Sequence, residues 1–177
     1  AVVSRDGRFV ERSRLLLSSP LSRCEETWTG RNRQIARRLS QIDPQGSLRI
    51  VAEYVGAIAF YTGANVLDPI GLTNESVARA SSPKALADLV FSFNPDLVVL
   101  RLEADGSPGG DTGGHGALGR FGKRTILDDS RFRAFREIAS GDSGAPAYRW
   151  HIWTRSSDTS SMRLSDLAGF ESEMLLD

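Results

Sequence analysis

Apolar residues at Leu21, Cys24, Trp28, Ile35, Leu39 and Ile42 recur at steps of three, four and seven. That spacing places them on one side of an α-helix, so residues 20–42 are predicted to form an amphipathic helix, weakened at Gly30 and closed by Asp43-Pro44. Its other side carries Arg31, Arg33, Arg37 and Arg38, read as a solvated face or, more sharply, as a contact for a membrane surface. LRIVAEY, residues 48–54, is a β-rich run after a Gly-Ser turn and predicts a buried strand. GAIAFYTG then suits a tight turn into a short helix ending at Gly63, and ANVLD, residues 64–68, is a second strand that ends on a carboxylate.

Ser82-Pro83 supplies an N-cap and a first-turn proline. Leu86, Leu89, Val90 and Phe93 behind it form an i, i+3, i+4, i+7 stripe, closed by Asn94-Pro95. DLVVLRLEA, residues 96–104, is a continuous apolar run of the kind found in strands covered on both faces. From Asp105 to Gly116 nearly every residue is a turn former, so a Gly-rich loop is expected over 105–123. After it, Ser130 is read as the cap of a helix bearing Phe132, Phe135 and Ile138, and AYRWHIWTR as an edge-type strand. Helices alternating with strands predict an α/β fold: a small three-layer, Rossmann-like sheet with flanking helices, one face partly covered by the long N-terminal helix. The expected organisation is a lead-in over 1–19, one α/β domain over 20–155, and a polar tail over 156–177 with a short helix from Leu164 to Leu176.

The 22 basic and 22 acidic residues cancel, which argues against nucleic acid as a partner. No apolar run approaches the roughly 20 residues needed to cross a bilayer. The start, AVVSRDGRFVERS, lacks a signal-peptide pattern and an initiator Met, and is expected to be the beginning of a piece of a longer protein. A single cysteine, Cys24, excludes an internal disulfide and a multi-cysteine zinc site, and it reads as a small buried hydrophobe.

GDSGAP, residues 141–146, differs by one letter from the motif around the nucleophile of chymotrypsin-like proteases. The helical stripe at 86–93 has no place in a double β-barrel. The two histidines, His115 in the Gly-rich loop and His151 eight residues past Ser143, do not fit the order of that triad, so Ser143 is read as a turn serine joining a helix to a strand. No GxSxG, GxGxxG or Walker A pattern occurs. Asp111 with His115, or Asp128 with Asp129, supply two ligands at most, and no metal or cofactor is expected.

VAEYVGAIAFYTGANVLDPIGLTNESVAR (51–79) and FNPDLVVL (93–100), with NRQIARRLSQIDPQGSLRI before them and DDSRFRAFREI and YRWHIWTR after, carry a resemblance. Over about residues 31–155 the chain resembles the C-terminal extracytoplasmic domain of bacterial polytopic GT-C-type glycosyltransferases, the mannosyl- and arabinofuranosyltransferase-like membrane proteins that use polyprenyl-phosphate sugars. In that family a helix leads to a strand, a G-A-I-x-Y-Y-T/S-G element, a strand ending in Asp, and later x-P-D-x-V-V-L. Phe60 stands where the family frequently has tyrosine, and residues 105–123 have no counterpart. The resemblance implies that the catalytic carboxylates lie in the membrane portion. It also implies a place on the extracytoplasmic face of a bacterial inner membrane, the parent's own transmembrane domain as a partner, and a glycan or lipid-linked sugar as ligand. No catalytic residue is therefore assigned to this chain.

In open α/β sheets ligands gather at the carboxyl ends of the strands. That rule brings forward Glu53 and Tyr54, Asp68, and Arg101 to Glu103, with Tyr61 as a further substrate-binding candidate. Asp68 has a structural alternative, accepting backbone N–H bonds within DPIGL, and the two tyrosines have one in packing. Three functions stay open on the residues alone: an accessory domain shaping the acceptor side of a membrane glycosyltransferase, a free-standing α/β binding or interaction module, and a small hydrolase using His151 or Asp68.

Overall fold

The computed structural model describes residues 20–108, 116–142 and 147–155, apart from the side chains of 20–29 and 142. Helix α1 (Pro20–Ile42) is followed by β1 (Arg49–Ala52), α2 (Val55–Thr62), β2 (Asn65–Leu67), α3 (Glu75–Ala78), α4 (Pro83–Ser92) and β3 (Leu97–Glu103). Then come α5 (Gly116–Phe121), α6 (Arg124–Leu127), a 3-10 turn (Ser130–Ala134), β4 (Phe135–Asp142) and β5 (Tyr148–Arg155). The strands form one sheet in the order β2-β1-β3-β5-β4, parallel through β2-β1-β3 and antiparallel beyond.

Alternation along the strands sends side chains to two apolar layers, as the period of two requires. Ile50, Ala52, Leu97, Val99, Trp150 and Ile152 meet Ile35, Ala36 and Leu39 of α1 and Ile58 of α2 on one face. Val51, Val98, Leu100 and Trp153 meet Leu86 and Val90 of α4, Leu118 of α5 and Ile126 of α6 on the other. The fold is thus the three-layer α/β arrangement that the patterning predicts. Caps fix the ends as read: the Ser82 hydroxyl accepts from the Ala85 N–H at 3.1 Å, with Pro83 in the first turn of α4. Gly63, left-handed at φ 64°, closes α2.

The second half of the chain departs from expectation. No helix runs through Phe132, Phe135 and Ile138; Asp129 caps a single 3-10 turn through the Arg131 N–H, and strand β4 begins at Phe135. Phe135 and Ile138, an odd number of residues apart, face opposite layers as a strand requires, and an irregularity between Glu137 and Ala139 sets the adjacent Ile138 and Ala139 against the same layer. Strand β5 is not an edge: it lies between β3 and β4 with Trp150 and Trp153 buried, and β4 takes the edge. The Gly-rich segment 105–123 contains helix α5, which docks on the β2–α3 loop through the Ala117 N–H and the Ile70 carbonyl at 2.7 Å. The residues flanking 143–146 belong to two antiparallel strands, not to a helix and a strand. Ser143, Asp111, His115, the lead-in 1–19 and the tail 156–177 lie outside the described residues.

Candidate functional site

The chain leaves β1 toward β2 on one side while β3 pairs on the other, so the strand order reverses at β1. Such a reversal opens a crevice at the carboxyl ends of the strands. Glu53, directly after β1, is 3% exposed there. Its Oε1 accepts the Arg101 N–H at 3.3 Å and stands 3.5 Å from the Lys123 ammonium. Lys123 also donates to the Arg101 carbonyl, which ties the segment between α5 and α6 to the middle of β3. Burial pushes the Glu53 carboxyl above its ordinary value, and the positive charge of Lys123 and the Arg101 N–H pull the other way.

Tyr54 follows in the left-handed region, φ 56° and ψ 49°. For an L-residue with a Cβ this conformation costs on the order of 1–2 kcal/mol. Two contacts brace the ring: the Arg101 guanidinium lies 5.1 Å from its centroid, and Trp150 meets it edge-on at 6.0 Å. Arg101 is in turn 4.3 Å from the Tyr148 ring. Burial also pushes the Tyr54 hydroxyl upward. This strained residue starts α2 without a side-chain cap.

Beside it opens a cleft of 310 Å³, walled by Tyr54, Val55, Gly56 and Ala57 at the start of α2, by Asn32 of α1, and by Asp68, Ile70, Leu72 and Thr73 after β2. Asp68 is 2% exposed. Oδ1 accepts the Ile70 N–H at 2.9 Å, and Oδ2 accepts the Thr73 N–H at 3.0 Å and its hydroxyl at 3.3 Å. The carboxylate therefore fixes the loop that forms one wall, as its structural alternative requires, while remaining part of that wall. The lining mixes an amide, a phenol ring and a carboxylate with apolar Val55, Ile70 and Leu72, a composition suited to a ligand with a polar rim and an apolar face.

Of the residues nominated from sequence, Tyr54 and Asp68 share the cleft, Glu53 lies beneath the crevice beside it, and Arg101 braces Tyr54 from behind. Tyr61 is not brought to them. It sits in the last turn of α2, roughly 10 Å further along the axis, against Phe60 and Arg37. His151, the alternative catalytic candidate, stacks on Trp153 with its Nδ1 3.1 Å from Glu137 Oε1. Strands β1 and β3 intervene between His151 on β5 and Asp68 after β2, so the two do not share a site. Asn32, Thr73 and Lys123 were not nominated from sequence. Lys123 alone left a trace there, as one of two lysines in an arginine-dominated chain. No group of three or more metal-ligating side chains occurs among the described residues.

The profile of a domain of unknown function, DUF8728, matches residues 24–127, more than half of the chain. The chain belongs to that family. Its matched segment runs from Cys24 in α1 to the end of α6 with the three parallel strands, and therefore carries the whole cleft, the Glu53–Lys123 pair and Arg101; β4 and β5 of this DUF8728 chain complete the sheet outside it. Neither a curated protein nor a solved structure matches the chain.

Proposed function

We propose that this chain is an accessory domain of a polyprenyl-phosphate-sugar-dependent membrane glycosyltransferase, standing on the extracytoplasmic side, where it forms a glycan-binding wall on the acceptor side. The observation that carries this reading is the cleft at the carboxyl end of β1 and β2, with Tyr54, Asn32 and Asp68 around an apolar floor. A sugar offers hydroxyls at its rim and C–H groups on its faces, and this lining answers both. The carboxylates nearby favour a binding role over a catalytic one: Asp68 holds three donors of its own loop and Glu53 faces Lys123 and the Arg101 N–H. General acid and base catalysis needs a carboxyl group turned toward the substrate. Among the described residues no helix is long and apolar enough to cross a membrane, and this reading assigns the membrane-spanning part to other segments of a parent protein.

Because this chain supplies every wall of the cleft, a second reading is a free-standing α/β module that binds the same class of ligand. Titration of the purified chain with hexose and pentose oligosaccharides, followed by saturation-transfer NMR, tests the site common to both. Asn32→Ala with Tyr54→Phe should weaken binding by roughly threefold to tenfold for each hydrogen bond lost. Failure of any oligosaccharide to bind, or binding indifferent to both substitutions, overturns the glycan assignment. Loss of transfer by the full-length enzyme carrying the same pair then selects the accessory reading over the free-standing one.

A further inference from the structure

The helical layers of this neutral chain differ in how their exposed cations are paired. On the α3–α6 side, Glu75 pairs with Arg79, Lys84 with Asp88, and Arg131 with both Asp88 and Asp129. On the α1–α2 side, residues 30–42 hold Arg31, Arg33, Arg37 and Arg38 and no acid, since Glu25 and Glu26 of the same helix precede Gly30. Helix α2, VGAIAFYT, carries no charge at all. The two carboxylates in the following connections, Asp43 and Glu53, are buried. Arg33 and Arg37 are exposed one turn apart, and neither forms an ion pair among the described residues.

The same side presents Phe60, which at 80% exposure is the most exposed large hydrophobic residue of the described chain. It is joined to the arginines by contact: Phe60 meets Tyr61 edge-on at 5.1 Å, and the Arg37 guanidinium lies 5.5 Å from the Tyr61 ring. Asn32 lies beside Gly56 and Ala57 at one end of the pair, and Arg37 beside Tyr61 at the other, so α1 and α2 run in the same direction. Gly56, Ala59, Phe60 and Gly63 form an uncharged exposed strip next to the arginine row. Among the described residues no neighbour covers Phe60, which stays exposed on the side that carries the exposed Arg33 and Arg37.

We infer that the α1–α2 face docks on an anionic lipid surface, with Arg33 and Arg37 at the headgroups and Phe60 entering the interfacial region. An aromatic residue beside a basic row on one helical face is the chemistry of interfacial membrane binding, in which apolar insertion and attraction to anionic lipid add. The two parallel helices give an extended contact surface, and on the opposite layer Arg79, Lys84 and Arg131 each stand against a neighbouring acid. This inference does not depend on the glycan assignment, since Phe60, Arg33 and Arg37 do not line the cleft.

Co-sedimentation of the 177-residue chain with phosphatidylcholine vesicles, with and without phosphatidylglycerol, tests it. Binding should require phosphatidylglycerol and fall with added salt. Arg33→Gln with Arg37→Gln should weaken it roughly fivefold per arginine, the equivalent of about 1 kcal/mol for each basic residue near an anionic surface. Phe60→Ser should weaken it as well, whereas Arg79→Gln with Lys84→Gln, on the opposite layer, should not. Circular dichroism confirms that the exposed-site variants keep the fold. Equal binding to both vesicle types, or loss matched by the opposite-layer variant, overturns the inference. So does self-association abolished by Phe60→Ser, or binding of a single-stranded oligonucleotide, if either occurs without vesicle binding.

Discussion

Glu53 Oε1 and the Lys123 ammonium face each other 3.5 Å apart under the crevice between β1 and β3, with the Glu53 side chain almost fully out of water. The pair links two loops 70 residues apart, and Lys123 seals it by donating to the Arg101 carbonyl. Burial dominates Glu53 and raises its carboxyl above the ordinary 4.5. A raised folded-state value means that the native chain holds this proton more tightly than the unfolded one. The contribution is therefore full below about pH 4.5, the unfolded value, and is lost as pH rises through the folded value. Glu53→Gln keeps an acceptor for the Arg101 N–H and removes the charge. The melting temperature of the variant relative to wild type should become progressively more favourable as pH is raised from 4.5 toward neutrality, measured by thermal circular dichroism. A flat or falling difference contradicts the account.

Asp68→Asn replaces one acceptor oxygen with a donor in a loop where both oxygens accept. One N–H or hydroxyl of the 70–73 segment is left unsatisfied, at a cost of about 1–3 kcal/mol. Urea denaturation should show that loss. If glycan binding falls more than the residual folded fraction explains, Asp68 also touches ligand; unchanged stability means that the three bonds contribute nothing.

Gly116 opens α5 at φ 74°, and a Cβ there would lie 2.0 Å from the Ile70 carbonyl oxygen. Backbone meets backbone, so no side-chain rotation relieves the clash. Gly116→Ala should both strain the left-handed residue and push α5 off the loop that carries Ile70, costing more than the roughly 1 kcal/mol of an ordinary glycine replacement. The expected signature is faster amide exchange at Ala117, whose N–H is bonded to the Ile70 carbonyl at 2.7 Å. Unaltered exchange there contradicts the coupling of α5 to the cleft wall.

Ser82→Ala removes the acceptor for the Ala85 N–H at the start of α4. About 1 kcal/mol of stability should go with it, read from chemical denaturation, while Ser82→Gly should cost less. Glycan binding should be untouched, because α4 packs on the layer away from the cleft.

The purified chain should neither hydrolyse nitrophenyl glycosides nor transfer sugar from a polyprenyl phosphate. The carboxylates at the crevice are committed to loop donors and to Lys123. Turnover abolished by Glu53→Gln or Asp68→Asn would falsify the binding-only role.

Much of the first half of this chain was decided locally. The helical step of Ile35, Leu39 and Ile42, the Ser82-Pro83 start of α4 and the Gly63 end of α2 are short-range signals, and each element formed where its signal lies. The unbroken apolar run of β3 meant burial on both faces, and both layers cover it. Strand ends on Glu53 and Asp68 were readable for the same reason, since a polar residue after an apolar run marks where the chain leaves the sheet. What residues meet across the sheet is set by long-range pairing. Asn32 reaches the cleft because α1 packs along α2, and Lys123 reaches Glu53 because α5 and α6 fold under the carboxyl end of β3. Spacing in sequence contains neither distance. The three-residue steps from Phe132 to Phe135 to Ile138 look helical although they cross from a 3-10 turn into a strand, and the interior place of β5 depends on β4 pairing beyond it. Sequence determined the elements through hydrogen bonds and side-chain periods a few residues long. Only the tertiary structure decided the site, because burial and charge pairing depend on which elements the hydrophobic layers bring into contact.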